Sequence, residues 1–280
     1  MGKEKMKAWL FILPGFVGIL LFYIIPFLMS LYYTFTKGVT DVQFVWFENF
    51  KDLIGNPTFE TATKNTLKLI LIGVPGITLL SLFLSLLMSD KLYAFPRWAM
   101  LSPIVVPVAS TLMGWKALFD RGGIINRIIE SLGGSSIDFL GERYAMAVLI
   151  FIFIIKNMGY MIVIFAGAIS TLEKEYKEAF LLDSNSNLKY SIKIVIPLIT
   201  PIIFFVVILS IINSFQMFRE VYGLYGNYPP NTVYSLQHFI NNNFMKLNYQ
   251  RLSTAAFILI AGISILVSVF LKFQKKFLEE

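Results

Sequence analysis

The chain has 280 residues; 56% are Ala, Val, Ile, Leu, Met, Phe, Trp, Tyr or Cys, only 15% are charged, and mean hydropathy is +0.70. Soluble globular chains run at about 45–50% apolar and about 25% charged, so this composition excludes an ordinary soluble enzyme, a disordered chain and a collagen-like one. With no cysteine and His238 the only histidine, disulfides, thiolate metal sites and histidine clusters are excluded, and the net charge of +7 reads as loop Lys and Arg rather than a nucleic-acid surface.

Six long apolar stretches follow one another along the chain: Ala8–Phe35, Leu67–Met88, Trp98–Phe119, Ala145–Ile169, Pro197–Phe218 and Ser253–Phe273. Each has the roughly 20 residues that a helix needs to cross a hydrocarbon core of about 30 Å. The first follows Lys3, Lys5 and Lys7 and far exceeds the apolar run of a cleaved signal, so it reads as a retained helix, tilted or projecting. The expected fold is all-α, a polytopic membrane helix bundle with six transmembrane helices, forming a single transmembrane domain over residues 1–280.

With the N-terminus in the cytoplasm, the inside segments 1–7, 89–97, 170–196 and 272–280 hold Lys and Arg at about twice the density of the outside loops. That bias predicts both termini in the cytoplasm. Pro14, Pro26, Pro75, Pro103, Pro107, Pro197 and Pro201 interrupt the spans. A proline removes a backbone hydrogen bond, which lipid tolerates only where neighbours or water replace it. A bundle bent around a water-filled path and ordinary proline tolerance both accommodate them.

The loop between the fourth and fifth spans, Ser170 to Pro201, carries the strongest signal. Its first half has helical spacing, with Leu172, Tyr176, Ala179 or Phe180, and Asp183 along one side. Asp183 to Asn187 is a polar break, and Ser186 or Asn187 is suited to cap a second helix with Leu188, Ile192 and Val195 on one side. Two short helices with an apolar stripe in water suggest a docking surface; a simple connector packed on its own membrane domain fits the periodicity equally well.

Glu178-Ala179-Phe180, then Ser184 after three intervening residues, then Ile194-Val195-Ile196-Pro197 after nine more, resembles the EAA motif of permease subunits from ABC importers. Further runs resemble the sugar-type branch, the maltose, glycerol-3-phosphate and multiple-sugar permeases. They are Phe47-Glu48-Asn49-Phe50, Asn56-Pro57-Thr58-Phe59, Asn65-Thr66, Arg97 with Ser102-Pro103, Gly123-Ile124-Ile125-Asn126 and Lys156-Asn157-Met158-Gly159-Tyr160. The chain departs from the family at Glu173 (usually Pro), Phe180 (Ala) and Ser184 (Gly), and has Gly226-Asn227-Tyr228-Pro229-Pro230 for Gly-Gly-Pro. Asn185 could supply a left-handed position if the turn keeps its geometry.

The resemblance implies the type I ABC importer permease fold and an ATP-driven, binding-protein-dependent importer in a bacterial plasma (inner) membrane. The implied partners are a second permease subunit, two ATPase subunits, an extracellular solute-binding protein, membrane lipid and a carbohydrate. It assigns ATPase coupling to Glu178, Ala179, Phe180, Asp183, Ser184, Asn185 and Pro197, with Phe180 suggesting a matching pocket in the ATPase. This chain has no G-x-x-x-x-G-K-[ST] loop, so it is not expected to be an enzyme; ATP and Mg would sit in the partner ATPases, and no cofactor or metal is expected here.

The solute path calls for polar groups inside spans. Lys156, Asn157, Tyr160, Asn213, Phe215 and Gln216 are the candidates, with interhelical hydrogen bonding as the plainer role. Lys116 and Lys156 would admit an anionic solute. His238 reads as a surface residue of the last outer loop. The stretches contain no Asp or Glu, which speaks against an intramembrane enzyme and a gradient-driven secondary transporter; a peptide or polyamine permease stays open.

Overall fold

The computed structural model describes residues 2–38, 40–87, 108–184 and 186–279. It is helical apart from one short antiparallel pair, β1 (Thr36–Lys37) with β2 (Gln43–Phe44). The helices are α1 (Gly2–Ile19), α2 (Ile25–Thr34), α3 (Glu48–Ile54), α4 (Pro57–Leu87), α5 (Val108–Phe119), α6 (Ile124–Ser131) and α7 (Ala145–Ser170). They continue with α8 (Lys174–Asp183), α9 (Asn187–Tyr190), α10 (Ile196–Leu198), α11 (Thr200–Gln216), α12 (Phe218–Tyr225), α13 (Leu236–Met245) and α14 (Tyr249–Glu279).

Among the described residues, five helical runs are long and apolar enough to cross a membrane: Phe11–Thr34, Pro57–Leu87, Ala145–Ser170, Thr200–Tyr225 and Tyr249–Lys275. They match five of the expected stretches. The third survives as α5, its earlier half lying outside the described residues with Arg97, Ser102, Pro103 and Pro107. The run Thr200–Tyr225 continues through α12 and takes in Glu220, and Pro57–Leu87 takes in Glu60, so the expectation that no acid lies inside a span fails at both.

Prolines shape the helices in two ways. Pro14 and Pro75 stand inside α1 and α4. Pro26 and Pro197 each follow a π-helical turn, Leu20–Ile24 and Ser191–Val195, in which Ile25 N–H reaches Leu20 O and Ile196 N–H reaches Ser191 O. A proline ring clashes with the carbonyl four residues back and cannot donate to it. The wider turn moves that carbonyl aside and lets the helix run on.

The chain divides into two compact units. The first comprises Met1–Glu60 and Phe239–Ile263. Within it, Ser30 Oγ donates to Ser253 Oγ at 2.9 Å, and Phe27 and Tyr33 pack on Phe257 and Tyr249 with ring centroids 5.5 and 5.7 Å apart. The second comprises Thr61–His238 and Ser264–Glu280. Its core is the buried face of α7, with Val148, Leu149, Ile152, Phe153, Ile162, Phe165 and Ala166 at helical spacing. A Cβ at Gly73 would lie 2.9 Å from the Phe153 ring, so glycine there lets α4 approach that fully buried side chain.

Candidate functional site

The hairpin after α7 is built from local hydrogen bonds. Ser170 Oγ and Thr171 Oγ1 donate to Gly167 O and Ala168 O, each at 2.7 Å, where the spanning helix ends. Glu173 precedes α8 with φ −63° and ψ 140°, a φ that a proline ring also holds, so the family's proline position keeps its backbone shape without the proline. Ser184 closes α8 by donating its N–H to Phe180 O at 3.0 Å. Its φ of −155° is ordinary extended backbone, so this position needs no glycine. Ser186 caps α9, its Oγ accepting from Lys189 N–H at 3.3 Å, as the sequence suggested.

Glu178 and Ala179 are exposed on α8, and Asp183 is its last residue. Phe180 is half-buried, its ring tilted against Tyr190 at 5.7 Å. It therefore has a partner within its own hairpin, where the sequence had suggested a pocket in another subunit. Pro197 is exposed after the π-helical turn, and Asn185 lies outside the described residues. Leu182 is 88% exposed, Leu188 70% and Ile192 56%, whereas Val195 is buried. Of the apolar residues, Leu188 and Ile192 are thus open to a partner while Leu172, Phe180 and Val195 are partly or wholly covered, and Leu182 is a further exposed leucine that helical spacing did not single out.

The candidate path residues sit on two helices that pack together, α7 and α11. Lys156, Tyr160, Val163 and Gly167 form a partly open stripe along α7 at spacings of four, three and four. Lys156 Nζ donates to Glu220 Oε1 on α12, an ion pair joining residues 64 apart; Lys156 is 24% exposed and Glu220 is 0%. Asn157 Nδ2 turns back to Phe153 O at 2.9 Å. Asn213 is half-buried, and Gln216 is exposed, its Oε1 accepting from Arg219 Nη2 at 3.2 Å. Phe215 lines a cavity of about 20 Å³ beside Leu69, Met146 and Phe218, room for one water and not for a sugar ring. Lys116 is exposed in the last turn of α5.

Most of the other motif residues are staples. Asn49 Nδ2 donates to Thr34 O and Thr36 O, both at 2.9 Å. Asn56 Oδ1 accepts from Thr58 N–H and Phe59 N–H, capping α4 ahead of Pro57. Asn65 Nδ2 donates to Asn231 O and Tyr234 O, and Thr66 Oγ1 accepts from Leu236 N–H at 3.0 Å. Asn126 is fully buried, with Nδ2 on Asp120 O and Ile137 O and Oδ1 on Ile137 N–H. Glu142 accepts from Asn231 and Thr232 N–H, both at 2.9 Å.

Two residues escaped the sequence reading. Glu220 stood two positions beyond the expected end of span five, and only its partner 64 residues earlier reveals it. His238, read as a surface residue, is fully buried, with Nδ1 2.9 Å from Ser235 Oγ and its ring edge-on to Phe218. Burial lowers its imidazole from 6.5 to about 4. A serine three residues before a histidine was the one available sign.

Among the described residues no cluster of three or more His, Cys, Asp or Glu could hold a metal ion. What the geometry offers is a partly open helix face that carries Lys156 and Tyr160, and a separate hairpin with exposed leucines.

That architecture is the fold of an ABC importer permease. A permease chain of a bacterial ABC transporter that imports the acidic polysaccharide alginate superposes with TM-score 0.81 at 18% identity, covering 98% of this chain and 96% of that one. In sequence, the probable ABC transporter permease protein YesP of Bacillus subtilis is 26% identical over 278 residues, 95% of this chain and 90% of its own. The arabinooligosaccharides transport system permease protein AraP of Bacillus subtilis is 28% identical over 245 residues, 82% of this chain and 76% of its own. The curated relatives include further ABC permeases of sugar transport, so the resemblance to the sugar-type branch holds at full length. No family model matches the chain.

Proposed function

We propose that the chain is the transmembrane permease subunit of an ATP-driven, binding-protein-dependent importer and forms part of the path for a carbohydrate. The near full-length match to sugar-transport permeases carries the reading. In this reading it is a multi-pass protein of the bacterial plasma membrane with both termini in the cytoplasm, acting as one permease domain beside a second permease. The α8–α9 hairpin docks on the ATPase, with Glu178, Ala179, Phe180, Ser184 and Pro197 shaping the contact and Leu182, Leu188 and Ile192 supplying its apolar area. Asp183 and Asn185 are proposed to act with them.

ATP and Mg act in two partner ATPases, and an extracellular binding protein delivers the solute. ATP can drive the transition only by binding the inward- and outward-facing states with different affinity. Asn157, Tyr160, Asn213 and Gln216 offer hydrogen-bond donors and acceptors suited to hydroxyl groups. Phe215 contributes only if its cavity opens in another state.

The test is affinity purification from the native membrane after gentle solubilisation. Expected are an ATPase with phosphate-binding loops and a second polytopic permease; Glu178→Arg is expected to lose the ATPase and keep the permease. A chain that purifies alone and moves solute in liposomes without ATP overturns the proposal.

A further inference from the structure

We infer that Glu220 is a positioning residue that neutralises Lys156 and makes this path select uncharged polyhydroxyl solutes over anionic ones. The inference rests on the carbohydrate-importer reading and names its solute class. Lys156 is near the middle of α7 (Ala145–Ser170), a depth at which a lone ammonium is costly. Side chains lean toward the start of their helix, which carries the ammonium toward α12. There the fully buried Glu220 takes one of its three N–H donors through Oε1. Lys156 keeps partial exposure and two further donors beside Asn157, whose amide retains its Oδ1 acceptor. The pair therefore offers hydrogen bonds to hydroxyls while its charge sums to zero.

The cation nearest the other path candidates is Arg219, which donates from Nη2 to Gln216 Oε1 at 3.2 Å. Lys116 and Arg219 are exposed near the ends of their helices, where long side chains can reach water. Removing Glu220 alone would leave Lys156 as an uncompensated positive charge at membrane depth, a site for carboxylates. Removing both charges would restore neutrality.

The experiment reconstitutes the complete importer in proteoliposomes with its binding protein. It measures ATP-dependent uptake of radiolabelled maltotriose and arabinotriose, with trigalacturonate as competitor. Wild type is expected to take up a neutral trisaccharide and to resist a tenfold excess of trigalacturonate. Glu220→Gln is expected to make inhibition by trigalacturonate roughly tenfold more potent, about 1.4 kcal/mol of new attraction. The Lys156→Met/Glu220→Gln double variant is expected to lose that inhibition and to regain neutral uptake to within about threefold of wild type, and the exchanged pair Lys156→Glu/Glu220→Lys to behave alike.

Loss of uptake in all three variants would make the pair merely structural and overturn the inference, as would unchanged trigalacturonate inhibition in an active Glu220→Gln. Preferential uptake of trigalacturonate by wild type would overturn it while leaving the importer reading intact. If wild type accumulates no saccharide and no saccharide stimulates its ATPase, the carbohydrate reading falls and the inference with it.

Discussion

Asn126 shows how much a single side chain does in this protein. A buried amide must find partners for its donors and acceptor, and Asn126 finds three on the backbone around residues 120 and 137. His238 is a different case, because its Nε2 is buried without a hydrogen-bond partner. Its value of about 4 lies below the 6.5 of an exposed imidazole, so the unfolded chain binds the proton first. Stability is then complete above about pH 6.5 and declines as pH falls toward 4, by up to ~3 kcal/mol across the window. Unfolding midpoints in detergent at several pH values between 7 and 4 should slope downward with acid for wild type. His238→Gln should flatten the slope, and identical slopes in the two proteins would refute the assignment.

At the scale of elements, the hairpin explains why the chain tolerates departures from the motif it resembles. The glycine of the pattern is replaced at a residue whose backbone is extended, and the cap of α9 comes from Ser186 instead. Ser184→Gly is expected to leave ATPase stimulation within about twofold and to cost at most the ~0.5–1 kcal/mol of added chain entropy. Ser186→Ala removes the cap, a loss of about 1 kcal/mol, and amides 187–195 should exchange roughly fivefold faster. Hydrogen exchange of both variants checks the order; faster exchange in Ser184→Gly than in Ser186→Ala would contradict it. Spacing revealed the hairpin and its cap, but not that Val195 turns inward or that Phe180 rests on Tyr190.

Across the whole molecule, apolar character and burial part company. The first spanning run has none of its window buried, with Phe11, Phe16 and Phe22 open, while Phe153 is fully enclosed. Lipid or a partner subunit can meet an open phenylalanine equally well in either leaflet of such a protein, so stability resides in tight packing rather than in hydrophobicity. Changing Phe11, Phe16 and Phe22 together to leucine should move the thermal midpoint in detergent by no more than a degree or two. Phe153→Ala alone should cost a few kcal/mol and shift it by many degrees. A larger loss from the triple change would show that the first run packs within the chain.

What residue order determines here is the set of spanning runs, the hairpin and its family pattern, because roughly 20 apolar residues and a spaced motif are local properties that lipid and helix geometry read directly. What only the packed chain decides is which polar groups are staples and which remain open. Asn49, Asn56 and Asn65 read as signature and prove to be clamps. Lys156 reads as a path candidate or an interhelical hydrogen bond and proves to be bonded to Glu220. Burial depends on what residues far along the chain bring to a side chain, and Glu220, 64 positions beyond Lys156, is invisible to any pattern of spacing until the helices pack.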